Sequence, residues 1–455
     1  MTAAPVSANG APRRFRHTTV AAVVIANMIG TGVFTSLGFQ LLDIESGFVL
    51  LMLWAVGGLA ALCGAMTYAE LGAALPRSGG EYNFLTEIYH PAAGFVSGWV
   101  SATIGFAAPT ALAAFTFAAY GTSIFPQFAD PVTRKLIAAA LVIVLAVVHG
   151  GSRRGSGGLQ MLFTVLKVAV IIGFSVAALA FAKSVQPVTF VPTQGDGALL
   201  TGGAFAVSLI YVSYAYTGWN AATYLSSELD NPQRSLPWIL AVGTGVVMLL
   251  YVLLNYVFLS VAPIEAMKGQ LEIGYIAAQS AFGDIGGRFT GLVLALLLIS
   301  TVSAMTIAGP RVLQVIGEDI PGLRFLAVTN RDGIPHRAIY LQSALAVVFI
   351  LTSTFESVLV FAGFTLALNS LATVLGVFVL RWRRPELPRP YRTFLYPLTP
   401  LIYLALTGWT LTFVIINQPQ QALPGLGLIV AGLIVYLLTG GYRRDNAASE
   451  AAADR

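Results

Sequence analysis

Two short glycine-containing stretches decide the fold, Ile29-Gly30-Thr31-Gly32 and Tyr216-Thr217-Gly218-Trp219. Each lies near the middle of a long apolar segment, at the depth where a membrane-spanning helix must satisfy its backbone internally. Irregular backbone at that depth is tolerated only where protein or a water-filled cavity satisfies the freed N–H and C=O groups. Together they predict two interrupted helices around a central cavity. Taken singly, each stretch could instead serve only close helix packing by small residues.

The composition around these stretches is typical of a lipid-embedded chain. Of 455 residues, 56% are hydrophobic and 10% are charged, and the mean hydropathy is +0.79. Apolar segments of about 17–25 residues, the length that crosses a hydrocarbon core, recur along the chain. The sequence predicts an all-α membrane protein with twelve transmembrane helices. The expected spans are 18–40, 48–75, 92–121, 133–150, 158–182, 199–226, 237–262, 274–309, 337–354, 357–380, 394–417 and 424–440.

The positions of the two interrupted spans indicate an internal repeat. They are the first and the sixth, so they begin successive groups of five helices, and because five is odd the second group crosses in the opposite sense. Paired interrupted helices in two inverted halves point to the central site of a transporter. The predicted domains are a cytoplasmic tail (1–17), a first repeat (18–182), a second repeat (199–380), two peripheral helices (394–440) and a second cytoplasmic tail (441–455).

Positive charge predicts the topology. With twelve spans, nineteen of the 25 Lys and Arg residues lie on one side and five on the other, while Lys167 lies inside a span. Because positive charge marks the cytoplasmic side, both termini are expected inside a plasma or inner membrane. The first apolar stretch is too long for a signal-peptide core and no cleavage site follows it, so it is expected to remain. The pI is basic, at about 9.3. The excess positive charge is spread over many short loops rather than gathered on one face, which argues against nucleic-acid binding.

The sequence lacks the residue patterns that are typical of catalytic sites and metal sites. The four histidines lie apart, in loops or at span ends, and neither a zinc motif nor a phosphate-binding loop is present. Cys63 is the single cysteine, so a disulfide within the chain is excluded. We therefore expect no catalytic residues, no metal, no cofactor and no enzyme activity.

An ordered set of motifs resembles the amino acid-polyamine-organocation (APC) superfamily, and within it the bacterial and L-type amino acid permeases. The resemblance runs from the first span to the loop after the tenth. The motifs that carry it are Ile29-Gly30-Thr31-Gly32-Val33-Phe34, Pro76-Arg77-Ser78-Gly79-Gly80-Glu81-Tyr82, Tyr214-Ala215-Tyr216-Thr217-Gly218-Trp219-Asn220, Glu228 with Asn231-Pro232, and Pro385-Glu386-Leu387-Pro388-Arg389-Pro390-Tyr391.

The resemblance implies a leucine-transporter-like core of ten helices plus two peripheral helices, working by alternating access. N–H groups at the first interruption suit a substrate carboxylate, and the opposite half-helix ends expose carbonyls for an ammonium group. The implied substrate-binding residues are Ile29, Gly30, Thr31, Gly32, Tyr214, Ala215, Thr217, Gly218, Trp219 and Asn220. The aromatic residues among them could instead serve only packing. Tyr214 stands where L-type members often carry Phe, which argues against a purely large, apolar substrate.

Lys167 lies about ten residues into the fifth span, or roughly 15 Å along a helix. A charge at mid-membrane costs at least about 2.5–3.5 kcal/mol on insertion scales, so it marks a functional candidate; snorkelling to the interface is the alternative. In several permeases that the chain resembles, a lysine here takes the place of sodium and bridges the first and eighth helices. Ser300, Thr301 and Ser303 are candidate partners, with Ser300 and Ser303 expected to take part in coupling.

The loop from Arg77 to His90 is open to two interpretations. Its charged groups could close an inner gate, with Arg77 and Glu81 as one pair, or the loop could simply be solvated. An exposed ion pair is typically worth less than about 1 kcal/mol, which favours the solvated loop.

The predicted function is secondary active transport of amino acids by proton symport or by exchange. A Lys167 that releases its proton predicts symport, whereas a permanently charged one fits exchange or facilitated movement. The expected partners are an amino acid, the lipid bilayer and, for symport, protons; the sequence does not decide the oligomeric state. The alternatives are a polyamine or other amine permease, and a non-transporting scaffold or a channel, although a channel should show a continuous polar filter.

Overall fold

The computed structural model describes residues 17–77, 79–151, 157–182, 185–229 and 231–439. Within these ranges the chain is built from helices and contains no β-strand. Nine helices in the described ranges are long and apolar enough to cross a membrane, and three shorter apolar helices accompany them. The prediction of an all-α, multi-pass membrane fold is confirmed at this level. Most of the two predicted tails, with Arg13, Arg14, Arg16, Arg443, Arg444 and Arg455, lies outside the described residues.

The helices follow one another along the chain, and the longest connections between helical segments precede α9, α14 and α16. They are α1 (His17–Met28), α2 (Gly32–Gln40), α3 (Gly47–Ala74), α4 (Glu81–Ile88), α5 (Pro91–Val100), α6 (Ala107–Ile124), α7 (Pro131–Gly151), α8 (Gly157–Phe181), α9 (Asp196–Thr201), α10 (Gly203–Ala215), α11 (Pro232–Val261), α12 (Ile264–Met267), α13 (Ile273–Asp319), α14 (His336–Thr352), α15 (Phe355–Arg383), α16 (Leu398–Asn417) and α17 (Pro419–Leu438). A π-helical turn, Ser101–Gly105, joins α5 to α6, and a 3₁₀ helix, Trp219–Glu228, follows α10.

Local sequence explains several helix ends. The Ser46 side chain accepts a hydrogen bond from the Val49 N–H at 3.3 Å and so caps α3. Thr354 caps α15 in the same way through the Ser357 N–H. The last turn of α15 carries Arg381, whose positive charge suits the negative end of the helix dipole.

Some elements were absent from the sequence prediction. Helix α4 lies in the loop that was open to a solvated interpretation, and α13 extends to Asp319, ten residues beyond the predicted end of the eighth span. Gly283 breaks the helical conformation inside α13 with φ +80°. The sixth span continues after its interruption as a 3₁₀ helix rather than as an α-helix. Short polar-flanked helices and 3₁₀ segments give no hydropathy signal, which is why the sequence did not reveal them.

The core surrounds the two interrupted spans. Helix α3 packs along α11, α1 packs against α11, and α13 packs along α6. Helices α16 and α17 lie at the periphery and present much of their surface to the outside.

A buried ion-pair network fixes the end of α3. The fully buried Glu70 carboxylate accepts two hydrogen bonds from the Arg381 guanidinium, at 2.8 and 2.7 Å, and two more from the N–H and hydroxyl of Thr393. Burying a carboxylate is costly unless it accepts hydrogen bonds or pairs with a cation, and Glu70 does both. The network therefore holds α3, α15 and the loop leading to α16 together.

Candidate functional site

The first break comprises residues 29–31, between α1 and α2. Helix α1 ends at Met28, whose carbonyl accepts a hydrogen bond from the Gly30 N–H at 2.7 Å, too tight a turn for an α-helix. Helix α2 restarts at Gly32. The first N–H groups of a helix lack partners inside it, so the start of α2 is suited to a negatively charged group.

The second break comprises residues 216–218, between α10 and the 3₁₀ helix. The Thr217 N–H and hydroxyl both donate to the Tyr214 carbonyl, at 3.0 and 2.7 Å, and so occupy an oxygen left free at the end of α10. Gly218 has φ +97°, a conformation that other residues rarely adopt. The backbone therefore leaves the helical conformation after α10, in the stretch where Gly218 predicted an interruption.

The two breaks pack directly against each other. A Cβ atom on Gly32 would lie 2.6 Å from both Cα and Cβ of Ala215, and one on Gly218 would lie 2.9 Å from the Asn27 carbonyl. A Cβ on Gly30, by contrast, would have no neighbour nearer than 3.9 Å. Gly32 and Gly218 are therefore required for the close approach of the two interrupted helices, whereas a Cβ on Gly30 would make only an ordinary van der Waals contact.

Tyr251 of α11 joins both breaks and was not among the predicted residues. Its hydroxyl lies 2.5 Å from the Met28 carbonyl and 3.2 Å from the Ala215 carbonyl, and its side chain is fully buried. Buried backbone oxygens at a break need a donor. The phenol carries one proton, so it donates to one of the two carbonyls at a time, and the shorter distance favours Met28. Its hydroxyl was the only available signal, and the same span also carries the polar side chains of Thr244, Asn255 and Ser260 and a second tyrosine, Tyr256.

Lys167 of α8 reaches the first break. Its ammonium donates to the Ile29 carbonyl at 3.2 Å and to the Thr301 hydroxyl of α13 at 2.9 Å. The residue is only 7% exposed, so its side chain does not snorkel to an interface. Lys167 thus bridges the first break and the eighth span.

The three hydroxyls of α13 point to different neighbours. Thr301 accepts from Lys167 and donates to the Leu297 carbonyl at 3.3 Å. Ser303 lies 2.8 Å from the His149 ring, and Ser300 is buried. A helix turns about 100° per residue, so neighbouring side chains cannot all face one partner. Of the three candidate partners, Thr301 makes the lysine contact, and Ser303, which we expected to take part in coupling, contacts His149 instead.

Tyr214, Trp219 and Asn220 lie around the second break. Tyr214 is buried, with its hydroxyl in hydrogen-bonding reach of Thr31. The Trp219 ring packs edge-on against Tyr68, with 4.6 Å between the ring centroids. The Asn220 amide donates to the Glu81 carboxylate. Glu81 is 2% exposed, so the solvated interpretation is wrong for this part of the loop.

A small cavity lies beside the first break. Gly30, Lys167 and Thr301 line it together with apolar side chains, and it has room for about one water molecule. An amino acid would need further opening to enter. Within the described ranges, no group of three or more His, Cys, Asp or Glu residues could hold a metal ion.

Comparison with known proteins finds amino acid transporters among the relatives of this chain. The chain is 27% identical over 430 residues to the b(0,+)-type amino acid transporter 1 of Mus musculus, covering 92% of this chain and 86% of the relative. It is 28% identical over 442 residues to the Asc-type amino acid transporter 1 of Mus musculus, covering 91% and 79%. It is also 28% identical over 437 residues to the large neutral amino acids transporter small subunit 2 of Homo sapiens, covering 91% and 78%.

The family and these relatives are transporters and not enzymes, and amino acid transport is the activity that they share. The resemblance found from the motifs is confirmed by a model of the amino acid permease family, which matches residues 15–439. With interrupted helices at its centre and this match over nearly its whole length, the chain belongs to the amino acid permease family of the APC superfamily.

Proposed function

We propose that this permease exchanges amino acids across the membrane by alternating access, with the two breaks as the substrate site. The substrate carboxylate binds the N–H groups of Gly30, Thr31 and Gly32 at the start of α2. The ammonium group binds carbonyls of Ile29, Tyr214 and Ala215. The Ile29 and Ala215 carbonyls each have one donor, Lys167 and Tyr251, and a carbonyl oxygen can accept two hydrogen bonds. The Tyr214 carbonyl already accepts two from Thr217, one of which the ammonium group replaces.

The proposed architecture has twelve crossings. The nine long apolar helices and the three shorter ones, Val165–Phe181, Gly203–Ala215 and His336–Thr352, supply that number. The breaks in the first and sixth crossings support the proposed inverted repeats, 18–182 and 199–380, followed by peripheral helices. The excess of positive charge on one side supports cytoplasmic termini in the plasma or inner membrane.

The Lys167 contacts are the single observation that favours exchange over proton symport. The ammonium donates to a carbonyl and to a hydroxyl whose own proton is directed at Leu297. Neither acceptor is a titratable group that could take up the ammonium proton, which suits a lysine that keeps its charge. Such a lysine acts as a fixed link between the first break and α13 and has no proton to exchange during the cycle.

The substrate class follows from the site and the relatives together. One relative's name specifies large neutral amino acids, and the breaks offer one site for a carboxylate and one for an ammonium group. The Tyr214 hydroxyl near Thr31 places a polar group beside the site. We propose neutral amino acids, including those with small or polar side chains, as substrates.

Uptake of labelled L-leucine, L-alanine and L-serine into proteoliposomes tests the proposal. Exchange predicts uptake that requires internal amino acid and does not change with an imposed pH gradient. Lys167→Met should lower uptake at least about tenfold, because it removes two charge-assisted hydrogen bonds. Accumulation driven by a pH gradient, and lost in Lys167→Met, would instead establish proton symport.

The remaining alternatives have their own signatures. Uptake of labelled putrescine but of no amino acid would indicate an amine permease. Saturable uptake with competition between substrates would exclude a scaffold, and would argue against a channel because channels do not saturate at modest substrate levels. The matched control is Lys135→Met, which removes a half-buried lysine that lies away from the two breaks and donates to the Leu351 carbonyl at 3.1 Å, and it should leave uptake unchanged.

A further inference from the structure

Glu81 is a buried carboxylate at the start of α4, away from the two breaks along the chain. The two preceding glycines have φ +129° and +53°, so the loop turns sharply and directs α4 back toward the core. Only 2% of Glu81 is exposed. Burying a carboxylate costs free energy unless it accepts hydrogen bonds. The groups that donate to Glu81 therefore indicate its role.

Two donors come from other parts of the fold. The Asn220 amide, two residues beyond the second break, donates to Oε1 of Glu81. The Tyr68 hydroxyl of α3 donates to the same oxygen at 3.1 Å. Hydrogen bonds to an ionised acceptor are roughly twice as strong as those between neutral groups. The carboxylate therefore joins α3, α4 and the second break.

The same cluster holds Trp219. Its ring packs edge-on against the Tyr68 ring, and a Cβ on Gly64 would lie 3.1 Å from the indole. Tyr68 thus contacts Glu81 through its hydroxyl and Trp219 through its ring. Moving the carboxylate would disturb both residues that follow the second break.

We propose that Glu81 is a positioning residue for substrate binding, which fixes the Trp219–Asn220 turn without touching the substrate. The proposal rests on the proposed substrate site, of which that turn forms one wall. The segment after Gly218 is 3₁₀ rather than α-helical, so it has weaker internal hydrogen bonds and depends on an external anchor. A site residue needs such support to keep its geometry.

The test compares Glu81→Gln, Asn220→Asp and the double variant in proteoliposomes that take up labelled L-leucine, L-alanine and L-serine. Glu81→Gln should raise KM about tenfold with little change in the maximal rate per folded protein, because the turn loses its charged acceptor. The double variant exchanges amide and carboxylate and should restore KM to within about threefold. Glu87→Gln, an exposed carboxylate on the same helix that pairs with Arg384 at 3.3 Å, should leave KM unchanged.

Each contrary result has a distinct meaning. A loss of folded protein with an unchanged KM would show that Glu81 only stabilises the fold, and a double variant no better than Glu81→Gln would overturn the pairing. Absence of wild-type uptake would count against the proposed function. Even then, thermal unfolding of the same variants tests the contact, since a double variant no more stable than either single variant would refute it.

Discussion

The two breaks interrupt their helices in similar ways but are held by opposite chemistry. At the first break a cation, Lys167, donates to the Ile29 carbonyl. Beside the second break an anion, Glu81, accepts from the Asn220 amide. Tyr251 contacts a carbonyl from each. Lys167 thus binds a backbone oxygen that the first break exposes, whereas Glu81 binds a side-chain amide two residues beyond the second break. The two interruptions are therefore held by different elements of the fold.

The largest effect is expected where the breaks touch. Gly32→Ala places a methyl group 2.6 Å from the Ala215 backbone, and Gly218→Ala adds strain at φ +97°. Overpacking of this kind costs about 1–3 kcal/mol, so both variants should lower uptake at least about tenfold and lower the unfolding temperature. The control is Gly30→Ala. Its added methyl group has no neighbour nearer than 3.9 Å, so this variant should remain folded. Equal loss of stability in all three variants would contradict the close packing.

An intermediate effect is expected at Tyr251, which tests whether one side chain links the breaks. Tyr251→Phe keeps the ring contacts with Trp54 and Tyr216 but removes the hydroxyl from two buried carbonyls. The expected cost is about 1–3 kcal/mol of unfolding free energy, measured by thermal unfolding in detergent. Tyr256→Phe on the same helix, whose ring packs against Phe190, is the matched control. An unfolding temperature no lower than that of the control would show that the link is unimportant.

The smallest effect is expected on α13, where the lysine has its second acceptor. Thr301→Val keeps the shape but removes the hydroxyl bonded to Lys167, whereas Ser303→Ala removes only the contact with His149. Lys167 keeps its hydrogen bond to the Ile29 carbonyl in Thr301→Val, so this variant should lower uptake only several-fold, and Ser303→Ala should change it less. A greater loss with Ser303→Ala would restore the original expectation for that residue.

The sequence singled out residues around the two breaks, and the structure shows which contacts some of them make. Lys167 was singled out because a charge in an apolar span is conspicuous, and its bridge from the first break to the eighth span is present. The choice among Ser300, Thr301 and Ser303 depended on the rotation of α13, which hydropathy does not encode. Glu81 was quoted as part of a motif, yet the exposed-loop interpretation hid its burial.

The sequence by itself determined the all-helical membrane fold, the family and the places where two helices are interrupted. Those features depend on local composition: apolar length, and glycine where the backbone leaves the helix. Only the tertiary structure decided that Gly32 packs against Ala215 and that the Tyr251 hydroxyl lies beside a carbonyl from each break. It also decided that Glu81 accepts a hydrogen bond from the Asn220 side chain. These contacts join residues of separate elements that lie between 36 and 223 positions apart in the sequence. They depend on how whole helices are rotated and packed, which no local pattern specifies.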